Sequence, residues 1–150
     1  MKILIDADAC PNVVKEILYK VSFRLKLKLV FVANRYMRIP LSEFIEAIVV
    51  VEGPDEADNR IVEIMKSGDL ILTADIPLAD RVIKKNGWVL DFRGSFLTEE
   101  NIGQRLSVRN LMDELRSEGI QTGGPSAYGK KERQKFINQL DKFLTKALKK

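Results

Sequence analysis

The 150-residue sequence contains no histidine and a single cysteine, Cys10. Those two shortages exclude much familiar chemistry. Without histidine there is no serine-type triad, no histidine-held zinc and no cysteine–histidine nucleophile. With one cysteine no intramolecular disulfide forms, and a cysteine zinc site lacks ligands. Aromatic residues make up only 7%, and no apolar run reaches membrane-spanning length. The start, Lys2-Ile3-Leu4-Ile5-Asp6, goes straight into a strand-like run without the pattern of a secretory leader. A cytoplasmic protein is expected, and any hydrolytic chemistry has to rest on carboxylates, lysines or a metal ion.

What is present describes one folded domain. The chain is 45% hydrophobic and 31% charged, and its length suffices for one core but not for two ordinary domains. The formal charge of +4 is unevenly spread: from Lys130 onward eight Lys and Arg face two Asp and Glu, a net of +6, so the rest carries −2. A basic tail beside an acidic body suits a protein that grips a polyanion with one surface and cations with another, although a solvated helix face explains such asymmetry as simply.

Short apolar runs alternate with helical periodicity. Ile3 to Ile5 reads as a strand, and Val13, Val14, Ile17, Leu18 and Val21 as the helix after it. Leu27 to Ala33 and Ala47 to Val51 read as buried strands, with a short helical stretch around Ser42 to Glu46 between them. Gly53-Pro54 opens a helix closed by Gly68. Leu70 to Ala74 is the fourth strand, a helix from Pro77 ends at Asn86-Gly87, and Trp88 to Phe92 is the fifth strand. Helical connections of this length imply crossovers, hence a mainly parallel five-stranded sheet in a three-layer α/β/α arrangement, order 3-2-1-4-5. From about residue 98 to 150 the pattern is helical: one helix capped by Thr98 and running to Ser117, then an amphipathic one from about Gly129 that packs back on the sheet. Gly123-Gly124-Pro125 between them reads as a plain turn.

In a parallel sheet the residues following each strand share one edge, and ligands bind where the strand order reverses. Here that crevice lies between strands 1 and 4, which end in Asp6-Ala7-Asp8 and Thr73-Ala74-Asp75. If the first strand persists to Asp8, both of its carboxylates point to one side. A divalent cation, Mg²⁺ or Mn²⁺, would offset their repulsion, since it takes hard oxygen ligands. Asp55, Glu56 and Asp58 lie near the same edge, and Asp80 about one turn beyond Asp75. For Asp55, Asp58 and Asp75 a helix-capping role competes with ligation, and Asp80 reads most simply as a solvated helix residue. Arg35, Tyr36, Arg38 and Arg93 follow strands and are candidates for holding phosphates or stacking on a base, as are Lys130 and Lys131 at the start of the basic tail. Cys10 reads as a half-buried filler.

The run Asp6-Ala7-Asp8-Ala9-Cys10-Pro11, the Ala57-Asp58-Asn59 element, Gly68 through Ala79 and Gly123-Gly124-Pro125 together resemble the uncharacterised bacterial YaiI/YqxD family across nearly the whole chain. That family in turn resembles the wider PIN-like nuclease group. The second resemblance implies a PIN-like domain over residues 1–150 with an acidic Mg²⁺ or Mn²⁺ site, mapping its acidic positions to Asp6, Asp58 and Asp75, with Asp8 additional and Asp80 for the remaining position. Three functions are then expected alternatives. The first is a metal-dependent nuclease on RNA, with Asp6, Asp8, Asp58 and Asp75 catalytic. The second is a non-catalytic RNA-binding or regulatory module. The third is a phosphatase resembling the haloacid dehalogenase type, from the Asp6-x-Asp8 spacing; there Ala9-Cys10-Pro11 departs from the expected pattern.

Overall fold

A computed structural model describes residues 1–121 and 127–149. The Gly123-Gly124-Pro125 turn lies outside the described residues. The elements, in order, are β1 (Ile3–Asp6), α1 (Asn12–Leu25), β2 (Leu29–Ala33), β3 (Ile45–Val49), α2 (Glu56–Ile64), β4 (Leu70–Leu72), α3 (Ile76–Lys84), β5 (Trp88–Leu90), β6 (Phe96–Leu97), α4 (Glu99–Ser117) and α5 (Lys130–Ala147). They form an α/β fold around a mixed sheet in the order β3-β2-β1-β4-β5-β6, parallel except for β6. No described helix is long and apolar enough to cross a membrane.

Alternation along the strands divides the core in two. Ile3, Ile5, Leu29, Phe31, Leu70, Leu72 and Leu90 pack with α1 and with Phe136, Leu140 and Leu144 of α5. Leu4, Val30, Val32, Ile71 and Val89 face the other way, onto α2, α3 and Ile102 of α4. The amphipathic last helix therefore returns to the sheet, as its sequence implies. Helix starts follow local chemistry. Thr98 and Asn101 form a reciprocal capping box on α4, the Thr98 hydroxyl accepting from the Asn101 amide at 3.3 Å and Asn101 Oδ1 from the Thr98 amide at 2.9 Å.

Three expectations need correction. The sheet has a sixth strand: after β5, Asp91 Oδ1 accepts from the amides of Arg93 and Ser95 at 3.0 and 2.9 Å, and this side-chain-held turn folds Phe96–Leu97 back antiparallel onto β5. The stretch around Ser42 is a turn rather than a helix, because the Ser42 hydroxyl takes the Phe44 amide at 3.1 Å and the chain enters β3 at Ile45. Finally, β3 is an edge strand, with Glu46 and Val49 exposed, not a fully buried one.

Gly94, in the turn before β6, has φ +90°, and a Cβ there would stand 2.7 Å from the backbone of Lys135 and 2.8 Å from that of Phe136. Gly68 has the same φ with open space around it. Gly68→Ala is therefore expected to cost about 1 kcal/mol from backbone conformation alone, and Gly94→Ala about 3 kcal/mol, because α5 must also shift. Urea unfolding of the two variants measures the difference, and equal losses would contradict the close approach of α5.

Candidate acidic site at the strand crossover

β1 lies at the centre of the sheet, between β2 and β4, and its last residue is Asp6. The chain then turns into a single 3-10 turn, Ala7–Ala9. Strand alternation thus stops before Asp8, so the expected common orientation of the two aspartates does not arise. Asp6 is 9% exposed, and its Oδ2 accepts from the Thr73 hydroxyl at 2.9 Å, across the β1–β4 junction. Asp8 is exposed and turns toward β2, where Oδ2 accepts from the Asn34 amide at 2.7 Å.

Thr73 is fully buried, and its oxygen also accepts the Asp75 amide at 3.0 Å. Asp75 in turn caps α3, Oδ1 accepting from the Leu78 amide at 2.9 Å. Its capping role is real, and it still leaves the carboxylate on the cleft wall. Thr73 is the residue that the reading for carboxylates missed; the available signal was one polar side chain closing an otherwise apolar run, Leu70-Ile71-Leu72-Thr73.

α2 supplies the opposite wall. Asp55 precedes it in a left-handed conformation, φ 63°, without a side-chain capping bond, and Asp58 stands in its first turn. Asp6, Asp8, Asn34, Asp55, Asp58 and Asp75 together line a cleft of about 410 Å³. Burial, followed by the charges of Asp75, Asp6 and Asp55, pushes the Asp58 carboxyl up to about 6, with Arg81 partly opposing them. Burial also raises Asp6, the Thr73 hydrogen bond pulls it down, and the charges of Asp75 and Asp8 add to the rise. Asp69, at the other end of β4, makes a useful contrast. It is also buried, but Lys2 Nζ lies 2.7 Å away, and hydrogen bonds from Lys2 and Lys66 overcome the upward push of burial and hold it below its ordinary value.

The remaining candidates divide. Asp80 pairs with Lys84 at 2.9 Å on α3 and does not line the cleft. Arg35 does stand beside the site: with Lys15, Tyr36 and Glu52 it lines a second hollow of about 440 Å³ that shares Asp8 and Asn34 with the first. Arg38 is exposed on the same loop but outside both hollows. Gly94 meets α5 at Lys135 while Trp88, at the start of β5, meets Phe143 at 5.6 Å, so α5 runs against β5 and brings Lys130 and Lys131 to the carboxyl edge of the sheet. Arg93 follows β5 at that edge, near Tyr128. None of these four lines the acidic cleft. Cys10 is buried and its thiol is pushed up to about 12 by burial, as befits a filler.

Sequence comparison places this geometry in a group. Residues 4–146 match the family described as "Uncharacterized BCR, YaiI/YqxD family". The chain belongs to that family. It is 55% identical over 148 residues to a UPF0178 protein of Maridesulfovibrio salexigens, covering 99% of this chain and 98% of that one. Identity to the UPF0178 protein of Shewanella pealeana is 52% over 146 residues, covering 97% of each, and to that of Janthinobacterium sp. it is 51% over the same length and shares. No solved structure matches the chain. The family is itself uncharacterised, so the acidic cleft has to be interpreted from its own chemistry. Among the described residues no three acidic or cysteine side chains already stand in an ion-holding group.

The raised Asp58 carboxyl has a measurable consequence. A folded-state pKa of about 6, above the unfolded value of 3.8, means that the native state binds the proton more tightly between those limits. That contribution is fully present below the unfolded value and lost as pH rises through about 6. Asp58→Asn, which removes the charge, is expected to stabilise the protein at pH 7 by about 1 kcal/mol after allowance for solvent screening, and to do so little at pH 4. Denaturation with chelator at both pH values tests this, and a destabilised variant at pH 7 would contradict the repulsion.

Proposed function

We propose that this chain is a divalent-metal-dependent phosphodiesterase acting on RNA. The observation that carries the proposal is the convergence of five aspartates on one cleft at the strand crossover, with Asp6 and Asp58 held above their ordinary range. The donor set fits Mg²⁺ or Mn²⁺: carboxylate oxygens are hard ligands, and among the described residues the cleft wall offers no soft one. Asp6, Asp8, Asp58 and Asp75 would hold the cation. Asp80, already paired with Lys84, is the weakest candidate. The bound ion would supply Lewis acidity and a more acidic water.

The chain's own residues account for the rest. Thr73 holds the Asp6 carboxylate through its hydroxyl and the Asp75 backbone through the amide it accepts, while the Leu78 amide orients the Asp75 carboxylate. Arg35 and Lys15, in the adjoining hollow, are suited to phosphate oxygens, and the exposed Tyr36 ring is suited to stacking on an unpaired base. Arg38, Arg93, Lys130 and Lys131 would extend the cationic track. The likeness of Asp6, Asp58 and Asp75 to the acidic positions of PIN-like nucleases points to the same chemistry. A second reading, a non-catalytic RNA-binding module, draws support from Arg35 and the exposed Tyr36 beside the cleft, which suit an RNA strand without any cleavage chemistry.

Incubation of single-stranded RNA with Mn²⁺ separates the two. Wild type is expected to cleave, and Asp6→Asn and Asp75→Asn to lose at least roughly 100-fold in rate, the latter without losing its cap because Asn also caps helices. Equal cleavage by all three proteins would identify a contaminating nuclease and end the proposal. Salt-sensitive binding with no turnover in Mn²⁺ or Mg²⁺ would leave the binding module, and a phosphoaspartate trapped on Asp6 would redirect the assignment to a phosphatase.

A further inference from the structure

α4 is the helix least absorbed by the core. It spans 19 residues, yet Ile102 is its one buried side chain among the described residues. Beyond the first turns it carries Val108 and Leu111, exposed by 49% and 52%, and the partly buried Met112 and Leu115. The spacing of these four, i, i+3, i+4 and i+7, is that of a packing face. At ~100° per residue they occupy an arc of ~100° centred ~130° around the helix from Ile102. The face that meets the core is therefore a different one.

Charge frames this stripe unequally. The same helical geometry sets Arg105, Arg109 and Arg116 along one edge and Glu114 and Glu118 along the other. Asp113, behind the basic edge, pairs with Arg109 at 3.5 Å and with Arg116 at 3.0 Å, and Arg105 lies 3.9 Å from Asp91, but these are long or solvent-accessible contacts of little strength. An apolar stripe with one basic and one acidic edge is complementary to itself when two such helices run parallel. A twofold axis along the helices turns each basic edge toward the other helix's acidic edge. Antiparallel pairing instead sets like edges together.

We propose that α4 is a self-association surface, its apolar stripe packing against α4 of a second copy of this chain in a parallel pair. The inference is independent of the RNA chemistry proposed above. The stripe covers only two turns, so the dimer is a weak one, with a dissociation constant on the order of 1–100 μM.

Sedimentation velocity on the full chain across that range tests it. Wild type is expected to shift from monomer to dimer, and Leu111→Glu to raise the dissociation constant at least roughly tenfold while leaving circular dichroism and thermal midpoint unchanged, since the position is exposed. Arg109→Glu with Arg116→Glu is expected to weaken the dimer, and adding Glu114→Arg with Glu118→Arg to restore it. Under mild oxidation Leu115→Cys cross-links to itself in a parallel pair, Cys10 being buried. A monomer throughout, or a dimer indifferent to Leu111→Glu, would overturn the proposal. Cross-linking of Val108→Cys to Leu115→Cys without self-linking of either would overturn the parallel arrangement.

Discussion

A carboxylate removed from water has to be held, and at the centre of this fold one hydroxyl does it. The Thr73 side chain donates to Asp6 and accepts from the Asp75 amide, so one buried residue spans two strands and reaches the start of a helix. β1 and β4 are parallel neighbours from opposite sides of the crossover, and α3 begins where the relay ends. An unsatisfied carboxylate at this depth would cost several kcal/mol. The geometry of the cleft wall thus rests on one contact at the end of the central strand pair.

The two ends of the β1–β4 pair treat acid differently, and the contrast explains the electrostatics. At the amino end, Asp69 recruits the Lys2 ammonium and two amides and becomes an ordinary structural carboxylate. At the carboxyl end, Asp6 and Asp58 have neighbouring carboxylates among the causes that raise them. Helix amides explain some of that gathering: Asp75 caps α3, and Asp58 in the first turn of α2 sits where the helix dipole favours negative charge. They do not explain Asp6, which belongs to no helix, or Asp8, which leans on β2.

The order of β1 to β5 was legible because each strand is a short apolar run and each gap between them is long enough for a crossover, which leaves few topologies. The crevice between strands 1 and 4 followed from that order, and with it Asp6 and Asp75. What escaped was decided by single side chains. Asp91 organises the turn that creates β6, the Ser42 hydroxyl converts an expected helix into a turn, and Asp8 is reoriented by a 3-10 turn that no hydrophobic period announces. Arg35 lies beside the cleft because its loop leaves β2, the strand next to β1; Asp80 lies off it because the next turn of α3 offers it Lys84. The place of Arg35 depends on which strands become neighbours, which residue spacing does not encode, whereas the Asp80–Lys84 pair is a local i, i+4 contact that it does.

The acidic cleft is energetically unfavourable for the fold as it stands, which suits the cation site proposed above. A carboxyl pushed up to about 6 by burial and like charge weakens the native state at neutral pH, whereas a residue retained for stability would do the opposite. The fold tolerates this because its two apolar layers are complete without the cleft: the side chains of Ile3, Leu4 and Ile5 are fully buried before the strand reaches Asp6. The unfavourable charge therefore sits at the rim of a finished core, in a crevice open to solutes, where an external cation can reach it. That placement makes binding energy available at the site itself. In the function proposed above, a cation that neutralises the cluster would relieve that repulsion, so ion affinity and native-state stability would rise together.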